Sequence, residues 1–325
     1  MTDDTVTAIV LGGSAGVGRA VVDALVAEGH RVGVIARGEE RLAALAAAHG
    51  NRVVTASADV GDADLLRAAV ARLTPGGAGL RVWVNCAMAT SFSPFHKMQT
   101  DEFDQIVRTT FTGQVNGTRL ALELMTEGRI VCVGSGLAYR PVPGQSAYCA
   151  AKHAINGFVG AIRSELLDQE RPITISLIQL PAINTPQFTW ARNRLDMMPQ
   201  PAPPIFTPQV AARAVMKAVH SGARELLVGK SVIKLVFGDM VLPGLADRIL
   251  ARDGVEMQKS DRPEPGGRPD NLFAPVDHPP SAEGAFSDRA SDSALIIDAD
   301  LARQVFFIGG AVALVLLGVL IGALF

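Results

Sequence analysis

Tyr148 and Lys152 stand four residues apart in a stretch of helical period that opens near Ser146, so both side chains leave one face of a helix. A free phenol, with a pKa near ~10, is a reluctant proton donor or acceptor at neutral pH. An ammonium on the same face favours the phenolate and brings the group into working range as a general acid or base. The chain has only two tyrosines, which makes the pairing at this spacing specific, and Ser135 precedes it at the end of an apolar run. A second constellation lies near the start. Gly12-Gly13-Ser14-Ala15-Gly16-Val17-Gly18 follows an apolar run and opens an amphipathic helix. Glycines there let backbone N–H groups approach a pyrophosphate, and the helix N-terminus adds partial positive charge.

These groups need a scaffold. Short β-branched runs at 6–11, 31–36, 52–57, 80–84, 129–134, 173–180 and 225–228 alternate with helical stretches at 16–28, 39–49, 62–73, 101–127, 146–169 and 208–220. Near-continuous apolar strands alternating with helices predict a Rossmann-like, doubly wound parallel sheet of about seven strands with helices on both faces. Ligands in such sheets bind beyond the carboxyl ends of the strands, where the glycine turn and Ser135 fall. At the end of the second run stand Ala36 and Arg37, where a site for NAD carries an acid. An Arg without a competing acid suits a 2′-phosphate, with Ser14 as a second donor, and predicts NADP(H). The alternative is a solvated Arg that starts the next helix.

At 325 residues, 48% hydrophobic and 19% charged, the chain has ample material for a core. A net charge of −2 gives no case for nucleic acid. Cys86, Cys132 and Cys149 are odd in number and widely spaced, which argues against a disulfide framework and against any metal site. Composition divides the chain into a folded unit over 1–252, a flexible linker over 253–303 with eleven acids against five basic residues and six prolines, and an uncharged run over 305–325. That last run is long enough to span ~30 Å as a helix, so 304–325 is expected to be a single transmembrane helix, with a buried core helix as the alternative. The first residues lack the basic and apolar pattern of a secretory leader, so the folded unit is expected on the cytoplasmic side of a membrane.

The glycine turn, Asp59-Val60, Asn85-Cys86-Ala87, Ser135 and Tyr148-x-x-x-Lys152 together resemble the short-chain dehydrogenase/reductase family over roughly residues 5 to 230, in the manner of a bacterial subgroup with a membrane anchor. The resemblance implies an oxidoreductase that interconverts a carbonyl and an alcohol. Tyr148 would be the acid/base, Lys152 its activator, and Ser135 the hydroxyl that holds the reacting oxygen. It further implies that Gly12, Ser14, Gly16, Val17, Gly18, Arg37, Asp59, Val60, Asn85, Ala87, Tyr148, Lys152, Pro181, Ile183 and Thr185 bind the dinucleotide, Thr185 at its carboxamide. A homodimer or homotetramer, built on the helices that carry Thr110 and Tyr148, is also implied.

The sequence departs from the family pattern in several places. Leu11 replaces a Thr, Cys86 and Met88 replace Asn and Gly, Ala182 replaces Gly, and Thr110 stands where an Asn supports a water relay to the lysine. Thr110 is therefore expected to act in proton delivery by a modified route. The stretch 186–206, where the family places its substrate lid, carries Phe188, Trp190, Leu195, Met197, Met198, Ile205 and Phe206 with Arg192 and Arg194 among them. An apolar lid suits a lipophilic substrate; alternatively these residues pack the lid onto its own domain. An NADP-binding sensor or scaffold without turnover is the competing function, motivated by Thr110 and Cys86.

Overall fold

The structure is a computed structural model that describes residues 5–75 and 79–322. Eight strands form its central sheet: β1 (Ala8–Leu11), β2 (Val32–Ala36), β3 (Val53–Ser57), β4 (Val82–Asn85), β5 (Gly128–Val133), β6 (Ile173–Gln179), β7 (Glu225–Val228) and β8 (Ile296–Asp298). Their order is β8-β7-β6-β5-β4-β1-β2-β3, and all neighbours are parallel except β8, which runs antiparallel on β7. The first seven are the strands the apolar runs predict. Strand order reverses between β1 and β4, and a crevice must open there beyond the strand ends.

Period-two alternation splits each strand between two cores. Ala8 and Val10 face one layer while Ile9 and Leu11 face the other, and Val84 and Trp83 divide in the same way. The helices α1 (Gly16–Ala27), α2 (Glu39–His49) and α7 (Pro208–Ser221) close the first layer, and α3 (Ala63–Leu73), α5 (Gly113–Leu124) and α6 (Ser146–Asp168) close the second. Local signals set their ends: the Asp62 carboxylate accepts from the N–H groups of Asp64 and Leu65 to cap α3, and α7 starts on Pro208 and stops at Gly222, whose φ is +65°. The helical stretch predicted at 101–127 is divided into α4 (Thr100–Val107) and α5 by a π-helical segment, Arg108–Thr112. After β7 come α8 (Gly229–Val241) and α9 (Pro243–Asp253).

Two expectations about the C-terminal part are corrected. The segment 253–303 is not a free linker. Lys259–Pro263 pairs with Met197–Pro199, Ala290–Ser291 pairs with Ile205–Phe206, β8 extends the main sheet, and Leu272 is fully buried. Its charge explains part of this: Asp270, Asp292 and Asp300 meet Arg192, Arg213 and Arg224 of the more basic preceding part. The transmembrane helix over 304–325 is also not found: among the described residues no helix is long and apolar enough to cross a membrane. The run is divided into a short helix α10 (Ala299–Gln304), a π-helical segment Val305–Gly309, and α11 (Gly310–Gly322) of 13 residues. Residues 323–325 of the expected span lie outside the described residues. The base of this tail is held to the domain, with Phe306 stacked on Phe237 at 4.5 Å between centroids and Arg303 bonded to Glu225 at 2.8 Å.

Candidate active site

A cavity of about 670 Å³ lies beyond the carboxyl ends of the strands at the β1/β4 reversal. Its inner wall is the glycine turn: Gly12, Ser14, Gly16, Val17 and Gly18 all line it. Gly12 has φ +83°, and a Cβ there would stand 2.6 Å from the Ala87 Cα, so the turn can pass β4 only as glycine. A side chain on Gly18 would collide with the Gly12 carbonyl, which lets α1 start directly over β1. The N-terminus of α1 therefore opens on the cavity with little bulk in front of it, a shape that fits the pyrophosphate of a dinucleotide. Asp59, Val60 and Ala87 line the floor, and Pro181, Ile183 and Thr185, on the segment after β6, line the opposite wall.

Part of this mouth is covered by the chain itself. The Arg37 guanidinium, although at the cavity edge, donates to the carbonyl oxygens of Leu272 at 3.1 Å and of Asn271, and Arg41 donates to the Val276 carbonyl at 2.5 Å. The Gly16 N–H donates to the Ser281 carbonyl at 3.0 Å. Residues 271–281 thus form a strap across the nucleotide end, built from the segment expected to be flexible. Burial lowers the pKa of Arg37 from its ordinary value, and Asp59 opposes that shift.

At the other end Ser135, Tyr148 and Lys152 line the same cavity. Ser135 follows β5, with its N–H donating to the Gln179 amide oxygen at 2.9 Å and its Oγ accepting from the Leu137 N–H at 3.1 Å. Lys152, 2% exposed, donates from Nζ to the Val133 carbonyl at 2.6 Å and lies 5.5 Å from the Tyr148 ring centroid. Burial pushes the Lys152 amine down to about 8, partly offset by Cys86 and Cys132. The Tyr148 phenol is raised by burial, and its hydrogen bond with Ser135 pulls it back only in part. Burial thus acts against the acidification expected of a phenol beside an amine. Burial also pushes the Cys86 thiol, which lines the cavity, up to about 11, so it is a neutral wall and not a nucleophile.

Two predicted site residues are elsewhere. Asn85 does not line the cavity; its amide donates to Thr118 Oγ1 at 3.0 Å and accepts from Trp83 Nε1 at 3.0 Å, tying β4 to α5. Thr110, fully buried, spends its hydroxyl on one residue: Oγ1 accepts from the Ala89 N–H and donates to the Ala89 carbonyl, each at 3.0 Å. Threonine is too short to do that and also serve Lys152. What stands beside Lys152 from this helix is Gln114, one turn later, which sequence reasoning passed over; its position one turn past Thr110 on the same face was the available signal.

The lid divides its residues between both expected roles. Phe188 and Trp190 line the cavity, while Phe188 also packs with Phe92 and Phe286, and Leu195, Ile205 and Phe206 pack into the domain. Arg192 and Arg194 do not face the cavity; both bond Glu102, which is 1% exposed. The outer cavity adds Leu137, Val142, Leu235 and Met257, with Lys230 and Lys234 of α8 at its rim.

A family model described as short chain dehydrogenase matches residues 6–195. The uncharacterized oxidoreductase YxnA of Bacillus subtilis (strain 168) is 28% identical over 264 residues, which cover 78% of this chain and 74% of that protein. The NADP-dependent 3-hydroxy acid dehydrogenase YdfG of Salmonella typhi is 31% identical over 49% of this chain and 65% of its own. A crystal structure of a short-chain dehydrogenase from Streptomyces avermitilis superposes with a TM-score of 0.64 over 78% of this chain and 98% of its own; at 24% identity it shows a shared fold.

Proposed function

Because this chain belongs to the short chain dehydrogenase family, whose members bind a nicotinamide dinucleotide, we propose that it is an NADP(H)-dependent oxidoreductase that reduces a carbonyl on a lipophilic substrate to an alcohol. The observation that carries the reading is one cavity lined by both the glycine turn and Ser135, Tyr148 and Lys152. The dinucleotide, when bound, supplies the hydride. Tyr148 then donates its phenolic proton to the carbonyl oxygen, a role that a phenol kept protonated by burial is suited to. Ser135, which lines the cavity with Tyr148, holds that oxygen, and Lys152 stabilises the phenolate left behind while its amine is charged.

NADP is favoured over NAD by Arg37 and Arg41 at the nucleotide end, the absence of an acid at 36–38, and the NADP dependence of the Salmonella relative. A lipophilic substrate is favoured by the apolar outer wall of Phe92, Leu137, Phe188, Leu235 and Met257. Pairing of two copies through α5 and α6 is also proposed, since Gly157 and Gly160 of α6 border open space, and sedimentation velocity tests it. Turnover of matched short and long-chain aldehydes and ketones with NADPH and NADH tests the main reading. Faster reduction of the long-chain members with NADPH is expected, and no turnover across the panel sinks it. The second reading, nucleotide binding without turnover, is favoured by Thr110, whose hydroxyl is spent on Ala89 and does not serve Lys152; it predicts bound NADPH and no product.

A further inference from the structure

Among the described residues Lys152 donates to one acceptor, the Val133 carbonyl, although an ammonium carries three N–H groups and this one is 2% exposed. A second side chain converges on that carbonyl. Gln114, also 2% exposed and on the first turn of α5, donates from Nε2 to Val133 O at 3.1 Å. A carbonyl can only accept, so the amide nitrogen must face it, which fixes the amide oxygen on the other side. That oxygen, Oε1, is sealed from solvent and accepts no hydrogen bond from any described group. A buried amine with N–H groups to spare and a buried amide oxygen without a donor thus share one carbonyl as neighbour. Thr110 cannot fill the gap, because Ala89 takes both sides of its hydroxyl.

We propose that Gln114 is the positioning residue for Lys152: Nε2 fixes the carbonyl to which the amine is bonded, and Oε1 supports the ammonium through one solvent molecule. The titratable groups that face the amine are Tyr148 on its own helix, Cys86 after β4 and Cys132 on β5, and the contribution from α5 is the neutral amide of Gln114. A neutral acceptor next to an amine that burial drives towards its uncharged form keeps the charged form present at higher pH. The proposal rests on the acid role given to Tyr148 above, and it assigns to Gln114 the support that sequence reasoning expected from Thr110.

The test uses the full chain with Gln114→Met, of similar length but with neither donor nor acceptor, and Gln114→Glu. Two quantities are read: the midpoint of Lys152 by NMR titration of protein labelled at lysine Nζ, and the pH profile of kcat with NADPH. For Gln114→Met the midpoint and the high-pH limb of kcat should both fall by about half a unit or more, with kcat at pH 8 down about twofold or more and KM within about twofold. Gln114→Glu places a negative charge there and should move both upward. A midpoint in folded Gln114→Met or Gln114→Glu equal to that of the wild type overturns the proposal, and so does a drop in kcat with an unmoved pH limb, which is what a merely structural residue would give. The NMR midpoint needs no substrate. A wild type that turns over nothing therefore sinks the function proposed above while the titration still decides the role of Gln114.

Discussion

Tyr148 and Lys152 define the chemistry through opposite responses to the same burial. Desolvation raises the phenol and lowers the amine, so near neutral pH the site holds a protonated acid beside an amine that titrates at about 8. Replacing Tyr148 by Phe removes the proton donor and keeps the ring: kcat should fall by about 10²–10⁴ while NADPH still binds, read by steady-state kinetics and by cofactor fluorescence. Because the amine is charged below about 8 and neutral above it, carbonyl reduction should decline as pH rises through that value, and Lys152→Met should abolish this limb of the profile. Arg37 tests the nucleotide end. Arg37→Asp should reverse the preference from NADPH to NADH by about tenfold or more in KM, since a carboxylate repels a 2′-phosphate and accepts from a 2′-hydroxyl. An unchanged ratio would mean that the carbonyls of residues 271 and 272 hold Arg37 for the strap alone.

Among the elements, the lid depends on one buried carboxylate. Burial alone would raise the pKa of Glu102, yet hydrogen bonds from Arg194, the Gln99 N–H and Arg192 hold it below the usual glutamate range. A depressed folded-state pKa makes this contribution present above the unfolded value near ~4.3, and it is lost as pH falls through the lower folded value. Glu102→Ala would leave both arginines without their shared partner, and the expected cost is about 3–5 kcal/mol in denaturant unfolding, with a rise in substrate KM as the lid loosens. The strap belongs to the same scale. It brings backbone carbonyls to the Arg37 side chain and the Gly16 N–H, groups that the sequence alone leaves free for a ligand.

On the scale of the molecule, the C-terminal part completes the sheet. Glu225 at the start of β7 is 2% exposed and accepts from Tyr139 at 2.5 Å, Gln179 at 2.9 Å and Arg303 at 2.8 Å, so the helix that follows β8 is pinned under the main domain. Arg303→Met should therefore destabilise the whole domain by about 3 kcal/mol, measured by denaturant unfolding, because a buried carboxylate loses the nearer of its two cations, Arg224 standing at 3.7 Å. A free tail would predict no change in stability.

The sequence by itself determined the alternating strands and helices, the glycine turn and the Tyr148, Lys152 and Ser135 constellation, because period, turn chemistry and i,i+4 spacing are local properties of the chain. Tertiary structure decided the rest. It turned Asn85 and Thr110 inward, put Gln114 beside Lys152, and folded the acidic segment 253–303 over the nucleotide end. Composition marked that acidic segment as a linker because it has few aliphatic residues. It folds nonetheless, since its acids meet arginines and its β8 meets an open sheet edge more than 60 residues away in sequence, and such pairings exist only once the sheet is built.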